Sequence, residues 1–355
     1  MYNNILLIPA LNPDETFIEY VKELREAGFH RIVAVDDGSR AELKYIFETL
    51  RDKYGCDLLT HEVNMGKGRA LKDGFLFIDQ KYGGFDDYKG VITADSDGQH
   101  TVADVIKLNC LLDGAQTPTL FLGSRNFDLE IVPVKSKKGN KITSRVFKLL
   151  YGKHIGDTQT GLRAISRPLV CEYAELDGDR FEYEMNMLIY ATREKHNIVE
   201  EPIQTVYINN NSETHFRPFA DSFKIYKLIL GGFLKFTVSS LLSMLLDQGL
   251  ANLLFYTVLC KNPIAAKALA RVVSAVFNFS LNRRVVFKSK NAQKTQALRY
   301  AVLAVCQLVL SATLVGALTL LFSDIEWLFT VFSIVVDTLL FIISYRIQQA
   351  WVFRG

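Results

Sequence analysis

The sequence is poor in cysteine, and the few cysteines that it has follow no framework. Five of them stand among 355 residues, and none has the spacing of a disulfide scaffold or of a thiolate metal site. This pattern excludes a disulfide-stapled domain and a cysteine zinc centre, and it predicts reduced thiols that act as packing residues. The positions are Cys56, Cys110, Cys171, Cys260 and Cys306.

Two further signals are missing from the first part of the chain. The stretch Gly66-Lys67-Gly68 lacks the Gly-x-x-x-x-Gly-Lys-[Ser/Thr] spacing, which excludes a P-loop, although Lys67 at the start of a helix can still help to hold a phosphate. Residues 1–14 contain no basic leader and only a short apolar segment, so a first strand is expected here rather than a signal peptide. The first half of the chain is therefore expected to stay in the cytosol.

Acidic residues are scarce in the second part of the chain. Residues 231–355 carry 12 Lys and Arg against 4 Asp and Glu, a net charge of +8. The totals of 41 and 38 then leave 29 and 34, a net charge of −5, for residues 1–230. A net acidic first part argues against a nucleic-acid partner, which needs a basic surface. Long uncharged runs between basic clusters in the second part are typical of membrane proteins.

The order of apolar runs in residues 1–125 predicts alternating strands and helices. Short runs that are rich in β-branched residues and bounded by turn residues indicate buried strands, and amphipathic stretches lie between them. This alternation predicts an α/β domain with a mostly parallel sheet and right-handed crossovers. The predicted strands cover residues 4–9, 31–35, 57–61, 90–94 and 119–122, and the helices about 15–27, 41–54 and 102–112.

The most informative stretch is Asp95-Ser96-Asp97-Gly98-Gln99-His100, which directly follows the predicted strand 90–94. The carboxyl ends of the strands in an open α/β sheet form the edge where ligands bind. Two acids one residue apart repel each other, and both stay ionised comfortably only beside a cation. The stretch therefore predicts a divalent metal that carries a diphosphate, with an exposed turn as the alternative interpretation.

Other polar stretches have two interpretations each. Asp36 and Asp37 follow the second strand, where they either cap the next helix or bind a ribose hydroxyl or a base N–H. The basic stretch 135–145 is either a solvated face or a cradle for phosphates, in which Arg145 offers a bidentate fork. The polar, glycine-containing segment 157–163 suits a site loop, whereas Glu182 or Glu184 serves the dipole of a helix.

Taken together, six blocks resemble glycosyltransferase family 2, in its dolichol-phosphate-mannose-synthase-like branch of polyprenyl-phosphate glycosyltransferases. The resemblance covers about residues 3–220, and it implies a GT-A fold, a nucleotide-activated sugar and an inverting reaction. The blocks are Ile8-Pro9-Ala10-Leu11-Asn12, Asp36-Asp37-Gly38-Ser39, Asn64-x-Gly66-Lys67-Gly68, Asp95-Ser96-Asp97-Gly98-Gln99-His100, Gly123-Ser124-Arg125 and Asp157-Thr158-Gln159-Thr160-Gly161-Leu162-Arg163.

The resemblance also implies roles for single residues. The metal, Mg²⁺ or Mn²⁺, would be held by Asp95, Asp97 and Gln99. The nucleotide sugar, linked to UDP or GDP, would be met by Pro9, Asn12, Asp36, Asp37 and Lys67, and the donor and acceptor phosphates by Arg125, Arg145 and Arg217. One departure is the loop after Pro9, which lacks the family's aromatic residue and has its acid displaced, so no base-stacking or acidic role is assigned there.

The expected sugar transfer requires few catalytic groups beyond these. Metal and arginines neutralise the leaving nucleoside diphosphate. A polyprenyl phosphate acceptor is already anionic near neutral pH, with a second pKa of about 6 by analogy with phosphoserine, so it needs no strong base. A sugar hydroxyl would need a carboxylate within hydrogen-bond reach, and Asp157 is then the catalytic candidate.

The second part of the chain predicts a membrane domain. Residues 236–260, 300–323 and 327–345 are long and nearly uncharged, and 263–282 is a weaker fourth run that Lys267 and Arg271 interrupt. Four spans are expected at about 236–260, 263–284, 299–322 and 327–347, with Lys267 snorkelling from its helix. The basic segment 283–299 is predicted to be cytoplasmic and 323–326 to face outward, which places both termini in the cytoplasm.

A weak duplication supports two similar hairpins, because 234–236 matches 298–300 and 286–288 matches 352–354. The blocks 270–279 and 282–287 resemble the GtrA-like family of four-helix membrane proteins, which is linked to moving or presenting polyprenyl-phosphate sugars. Polar groups at membrane depth are costly unless they are paired or functional. Four such groups occur in the predicted spans or beside them, and they are Asp247, Asn278, Arg283 and Asp337. They indicate either structural pairing or a path for a lipid phosphate.

These observations predict a multi-pass cell-membrane enzyme with its catalytic domain in the cytoplasm. The expected domains are a GT-A domain at 1–217, an amphipathic interfacial helix at 218–232 and a transmembrane domain at 233–355. The expected reaction moves a hexose from a UDP- or GDP-sugar to a polyprenyl phosphate, for modification of a cell-envelope glycan. Two alternatives stay open, namely extension of a lipid-linked glycan and a translocase or scaffold with an inactive sugar domain. Homo-oligomerisation also stays open.

Overall fold

The computed structural model describes residues 1–129, 132–204, 218–257, 262–289, 291–321 and 328–354. The chain divides into two compact units, Met1–Ile229 and Leu230–Gly355. Each unit has its own fold and is described by itself.

The first unit contains a seven-stranded sheet with helices in the connections. A 3₁₀ turn at Ala41–Leu43 leads into the second helix. The strands are β1 Ile5–Ala10, β2 Ile32–Asp36, β3 Asp57–Thr60, β4 Gly90–Thr93, β5 Thr119–Arg125, β6 Arg163–Ser166 and β7 Asn197–Ile203. The helices are α1 Thr16–Glu26, α2 Lys44–Asp52, α3 Lys67–Tyr82, α4 Val102–Asp113, α5 Val134–Tyr151, α6 Arg167–Ala174 and α7 Glu182–Arg193.

The strand order is β3-β2-β1-β4-β6-β5-β7, and every pair is parallel except the two that β6 makes. This confirms the predicted mostly parallel α/β sheet. Because β6 runs the opposite way, it begins at the edge where its neighbours end. The segment that precedes Arg163 therefore lies at the same edge as the segments that follow β1, β2 and β4, and this reversal positions the candidate site.

Apolar burial holds the sheet in place. β1 and β2 are buried along their whole length, as expected for parallel strands with helices on both faces. Leu6 and Ile8 share one core cluster with Phe17 of α1 and Phe47 of α2, and each of these four side chains is at most 1% exposed. Burying side chains of this size contributes about 1.5–3 kcal/mol each, so the strand ends that carry the site are rigidly supported.

The second unit consists of helices that are long and apolar enough to cross a membrane. By length and composition, the described residues contain four candidate spans, at Phe223–Tyr256, Pro263–Val286, Gln293–Leu318 and Thr330–Val352. The predicted segment 218–232 and the first predicted span belong to one continuous helix. The helices are α8 Pro218–Tyr256, α9 Pro263–Leu281, α10 Gln293–Leu321 and α11 Leu328–Ile347, and short π-helical segments follow α9 at Asn282–Val286 and α11 at Gln348–Val352.

The four polar residues that the sequence analysis singled out in these helices are paired. Asp247 of α8 contacts Lys267 of α9 at 2.7 Å, so Lys267 has an intramolecular partner where snorkelling was expected. Asn278 accepts a hydrogen bond from Tyr300 Oη at 2.8 Å. The remaining two predicted positions are also bonded: Arg283 donates to Gln296 at 2.9 Å, and Asp337 accepts from Ser311 at 2.7 Å. These contacts agree with the structural-pairing interpretation.

Candidate active site

Lys67 joins two acids at the carboxyl edge of the sheet, the half-buried Asp95 and the buried Glu184. It is the first residue of α3, and its Nζ lies 2.7 Å from Asp95 Oδ1 and 3.0 Å from Glu184 Oε1. Burial disfavours the charged ammonium, but the two carboxylates outweigh burial and raise the pKa of Lys67. Burial would raise the pKa of Asp95, yet Lys67 and His100, whose Nε2 lies 3.1 Å away, hold it well below its usual range. Both groups are therefore charged at neutral pH.

Gly161 leaves room for the Asp95 carboxylate because it has no side chain. A Cβ at this position would lie 2.8 Å from Asp95 Oδ1 and closer still to Oδ2, so no larger residue fits without moving the acid. Thr93, at the end of β4, donates to the carbonyl oxygen of Gly161 at 2.9 Å. The segment before β6 is thereby fixed against the segment after β4, as the reversed direction of β6 requires.

Asp97 lies in a different electrostatic environment from Asp95. Asp97 is exposed, but partial loss of its hydration, and after it the charge of Asp95, raises the pKa of Asp97. Its Oδ1 accepts a hydrogen bond from the backbone N–H of Gln99 at 3.0 Å, across a turn in which Gly98 has a φ of +71°. Within the described part of the chain, Oδ2 has no protein partner, so a cation beside this oxygen would relieve the repulsion from Asp95.

The two acids after β2 are anchored within the protein. Asp36 accepts a hydrogen bond from Ser39 N–H at 2.8 Å and forms an ion pair with Lys44. Asp37 accepts hydrogen bonds at both carboxylate oxygens, from the backbone N–H of Met65 at 2.9 Å and of Gly66 at 2.8 Å. Both acids are at most 3% exposed, so they hold the loops around the site, and their predicted contact with a nucleoside stays a prediction.

Pro9 and Asn12 lie where β1 leads into its loop. Pro9 is buried in β1 beyond Leu7, where the pairing with β4 ends, so its missing N–H breaks no ladder bond on that side. Asn12 adopts a φ of +50°, which asparagine tolerates. It accepts a hydrogen bond from Arg40 N–H at 2.9 Å and donates its own N–H to Ser39 Oγ at 2.9 Å. This residue therefore ties the loop after β1 to the loop after β2.

Both carboxylate oxygens of Asp157 accept hydrogen bonds from Arg125, the last residue of β5. The guanidinium donates from Nε to Oδ2 at 2.7 Å and from a terminal nitrogen to Oδ1 at 3.1 Å. Asp157 is fully buried and also accepts the N–H of Gln159 at 3.0 Å. A carboxylate held in this way orients an arginine and is poorly placed to accept a further proton.

The remaining predicted phosphate ligands are less constrained. Arg145 is exposed on α5 and forms no ion pair with any residue that the structure describes. It shares one exposed helix face with basic and apolar side chains at i, i+3 and i+4 spacing. That face consists of Val134, Lys138, Lys141, Ile142, Arg145, Lys148 and Leu149. Arg217 lies outside the described residues.

Sequence reasoning missed three members of the site. Glu184 lies in the first turn of α7, as expected for a residue that serves the helix dipole, and it also forms an ion pair with Lys67. His100 supports Asp95, and Gly161 makes room for it. No local pattern signals the Lys67–Glu184 contact, because it depends on the packing of α7 against the start of α3. Gly161 could have been suspected, because it belongs to the polar segment 157–163 that suits a site loop, and glycine permits a close approach.

The donor set fits a hard divalent cation that also binds a substrate. Among the described residues, no three His, Cys, Asp or Glu side chains come together as a metal cluster. Magnesium commonly binds through one or two carboxylates, with substrate phosphates and water completing its shell. Asp97, with its free oxygen beside Asp95, matches that arrangement, and the Lys67 ammonium already shows that a cation is stable against Asp95.

Comparison with known proteins agrees with this geometry. Residues 5–113 match the family described as Glycosyl transferase family 2, and residues 235–353 match the family described as GtrA/DPMS, transmembrane domain. The chain is 32% identical over 208 residues to an uncharacterized protein of Methanocaldococcus jannaschii, in an alignment that covers 57% of this chain and 81% of the relative. The chain belongs to glycosyl transferase family 2.

Two further relatives have names that state an activity. UDP-N-acetylglucosamine–dolichyl-phosphate N-acetylglucosaminyltransferase of Methanococcus voltae is 29% identical over 218 residues, which cover 57% of this chain and 85% of the relative. Dolichyl-phosphate beta-glucosyltransferase of Saccharomyces cerevisiae is 28% identical over 210 residues, which cover 52% of this chain and 59% of the relative. The first unit is thus a GT-A-like transferase domain, and the GtrA/DPMS helices make this family 2 protein a membrane protein.

Proposed function

We propose that this protein transfers a hexose from a UDP- or GDP-sugar to a polyprenyl phosphate at the cytoplasmic face of a membrane. The pairing of Asp157 with Arg125 carries this proposal most directly. In a reaction with a sugar hydroxyl, Asp157 would have to act as the base, but both of its oxygens are engaged by the arginine. An acceptor phosphate is already anionic near neutral pH, with a second pKa of about 6, and needs no such base.

The names of the relatives support the same acceptor class. The M. voltae relative is named for transfer from UDP-N-acetylglucosamine to dolichyl phosphate, and the S. cerevisiae relative is named a dolichyl-phosphate glucosyltransferase. Both names describe a lipid phosphate that receives one sugar. The sugar and the base of the donor are not common to the two names, so a panel of donors is needed.

The residues divide the work of the reaction between them. Asp95 and Asp97, with Gln99, would hold Mg²⁺ or Mn²⁺, which when bound supplies Lewis-acid neutralisation of the donor diphosphate. Arg125, which Asp157 orients, and Arg145 would bind phosphate oxygens. Asp36, Asp37 and Asn12 fix the loops that would surround the nucleoside.

In the transfer itself, an oxygen of the acceptor phosphate forms a bond to the anomeric carbon. The bond from that carbon to the nucleoside diphosphate breaks, and its electron pair leaves with the diphosphate. Attack from the face opposite to the leaving group inverts the anomeric centre. Fixed cationic donors at the diphosphate lower the barrier because the site does not have to reorganise as charge develops there.

Two features support the cytoplasmic face. The exposed face of α5 combines lysines with Val134, Ile142 and Leu149, which is the composition of a helix that lies on an anionic membrane surface. The segment between α9 and α10 is strongly basic, and basic segments stay on the cytoplasmic side. The acidic segment 323–326, which was predicted to face outward, lies outside the described residues.

The deciding experiment separates lipid products after incubation of the membrane-embedded chain with labelled UDP- and GDP-sugars and a polyprenyl phosphate. We expect one donor to yield a mild-acid-labile lipid that carries a single sugar. Label in a heavier lipid-linked species would favour glycan extension. The proposed transfer would be contradicted if no donor gave a product, provided that a cooperative thermal unfolding transition shows that the protein is folded.

A further inference from the structure

The second unit contains a cavity that the transfer reaction does not use. It has a volume of about 970 Å³ and lies between α8 and α9. Lys267 and Arg271 line it from α9, and Gln248, Asn252 and Phe255 line it from α8. This cavity is an open groove between two predicted membrane spans, and its two cations and two amides would fit an occupant of complementary charge.

The charges around this cavity do not balance. Asp247 is 4% exposed and accepts contacts from Lys267 Nζ at 2.7 Å, from Arg271 at 3.3 Å and from Ser274 Oγ at 3.2 Å. Among the residues that the structure describes here, one carboxylate therefore serves two cations, which leaves a net charge of +1. Because an uncompensated charge at membrane depth is costly, a further anion would stabilise this site.

Donors remain available for that anion. Arg271 reaches Asp247 through a single terminal nitrogen, and its side chain is 69% exposed. Lys267 uses one of its three N–H groups on the same carboxylate. Gln248 and Asn252 lie one helical turn apart on the cavity wall, and their amides have no hydrogen-bond partner among the residues that the structure describes. Two cations and two amides suit the several oxygens of a phosphate.

The position along the helices indicates a lipid rather than a soluble anion. Lys267 and Arg271 are four and eight residues into α9, which begins at Pro263, or about 6 and 12 Å along its axis. Phe255, Ile264 and the alanines of the same wall are apolar. A single phosphate head would lie at the cations while its chain follows the apolar helix surfaces.

We infer that Lys267 and Arg271 bind the phosphate of a membrane lipid. The site lies at the end of α9 that is remote from Arg283 and the basic segment. With that segment on the cytoplasmic side, this end of α9 lies in the outer leaflet. The identification of this lipid as polyprenyl phosphate or its glycosyl ester rests on the proposed function. Its phosphate is shared with ordinary anionic phospholipids, so the test has to separate these two sources.

The test uses the full chain in nanodiscs of phosphatidylcholine with a photoreactive polyprenyl phosphate, and peptide mapping of the crosslinks. We expect crosslinks within 248–271, with competition by unlabelled polyprenyl phosphate. Competition by phosphatidylglycerol at the same mole fraction would identify bulk anionic lipid as the occupant. Equal competition by inorganic phosphate, or no crosslinks in 248–271, would overturn the lipid-phosphate site.

Variants separate anion binding from simple helix pairing. Arg271→Gln should weaken the 248–271 crosslink by about tenfold, the worth of one charge-assisted hydrogen bond. Asp247→Asn should leave it unchanged or strengthen it, because this change removes a negative charge from the site. Arg284→Gln removes an exposed cation at the other end of α9 and should have no effect. A parallel loss in Arg271→Gln and Arg284→Gln would overturn the assignment.

The two proposals fail in different ways. Transfer from nucleotide sugar to polyprenyl phosphate is measured on the same nanodiscs. Crosslinks in 248–271 without transfer would remove the proposed function and leave a lipid-phosphate site. Normal transfer without those crosslinks would remove the site and leave the proposed function.

Discussion

At the scale of residues, the site combines two acids whose surroundings shift their pKa values in opposite directions. Asp95 is held charged by Lys67 and His100, whereas partial loss of hydration and the charge of Asp95 raise the pKa of Asp97. Lys67 in turn depends on both Asp95 and Glu184, so its ammonium is fixed in position. Removing one partner of such a buried pair typically costs about 3–5 kcal/mol. The arrangement therefore places one oxygen, Oδ2 of Asp97, where an added cation brings the greatest gain.

Asp97→Ala should abolish sugar transfer to the lipid, because it removes the oxygen that is free for the metal. The measurement is labelled lipid product with and without excess EDTA, which should abolish the wild-type activity as well. Glu48→Gln, an exposed acid on α2, is the matched control and should retain full activity. Wild-type rates in Asp97→Ala or in EDTA would contradict the metal assignment.

Asp157→Asn should weaken transfer to polyprenyl phosphate without abolishing it. The amide preserves the shape but loses the charge that orients Arg125, so we expect a loss of about 10- to 100-fold, mostly in the KM for the acceptor. Steady-state kinetics with varied acceptor measure this split. A complete loss of kcat with an unchanged KM would instead assign Asp157 as a base, and with it a hydroxyl acceptor.

Gly161→Ala should displace the Asp95 carboxylate, because the new methyl group overlaps its oxygens. A shift of about 1 Å in a catalytic group can cost about 100-fold in rate. Gly139→Ala is the control, since a Cβ there meets nothing within 4 Å. Product formation and thermal unfolding are measured for both variants. Equal activity of the two alanine variants would show that Asp95 needs no fixed position.

At the scale of elements, the two hairpins of the membrane unit repeat each other in detail. α9 and α11 both end in a π-helical segment, and equivalent backbone bonds close them, from Phe287 N–H to Asn282 O and from Phe353 N–H to Gln348 O, both at 2.8 Å. The repeated residues also meet. Asn282 donates to Gln348 at 3.0 Å, and Phe287 stacks on Phe353 with ring centroids 5.1 Å apart.

Asn282→Leu should therefore destabilise the membrane unit through the loss of its contact with Gln348. Interhelical hydrogen bonds in membranes contribute about 0.6 kcal/mol on average and up to about 1.7 kcal/mol. A double-mutant cycle with Gln348→Leu, read by thermal unfolding in detergent, should give a coupling in that range. Thr338→Val, whose hydroxyl bonds only within α11, is the control. Additive effects of Asn282→Leu and Gln348→Leu would mean that the pair does not join the hairpins.

The predictions from sequence succeeded where a signal was local. The composition of 31–35 and 90–94 predicted buried strands, and the structure has strands at Ile32–Asp36 and Gly90–Thr93. The acids at the ends of these strands lie at the carboxyl edge of the sheet, as expected. The contacts that cross between distant segments had no such signal. Arg125 donates hydrogen bonds to Asp157 because the antiparallel direction of β6 brings the segment before it to the end of β5. Lys67 forms an ion pair with Glu184 because α7 packs beside α3. Neither the reversal nor the packing follows from periodicity, since both are decided by the complete sheet.

At the scale of the whole molecule, the proposed function predicts one orientation of the chain in the membrane. The basic segment after α9 and the basic face of α5 both favour the cytoplasmic side of a membrane. An N-terminal unit on that side has access to nucleotide sugars. The short connection between α8 and α9 is then expected on the opposite side.

Labelling of introduced cysteines tests this orientation in intact cells. Asn262→Cys, just before α9, should react with a membrane-impermeant maleimide, whereas Lys288→Cys should react only after the cells are opened. Both positions are exposed, so local access is matched. Labelling of Lys288→Cys in intact cells, with Asn262→Cys protected, would reverse the topology and remove the cytoplasmic site from the proposed function.

The place of β6 also sets an order of events while the chain is being made. β6 lies between β4 and β5, yet the ribosome releases both neighbours before it. Until Arg163–Ser166 has emerged, β4 and β5 each expose an unpaired edge, and such edges recruit strands from other chains. We therefore expect nascent copies to be prone to aggregation up to that point, and a chain truncated upstream of Arg163 to aggregate.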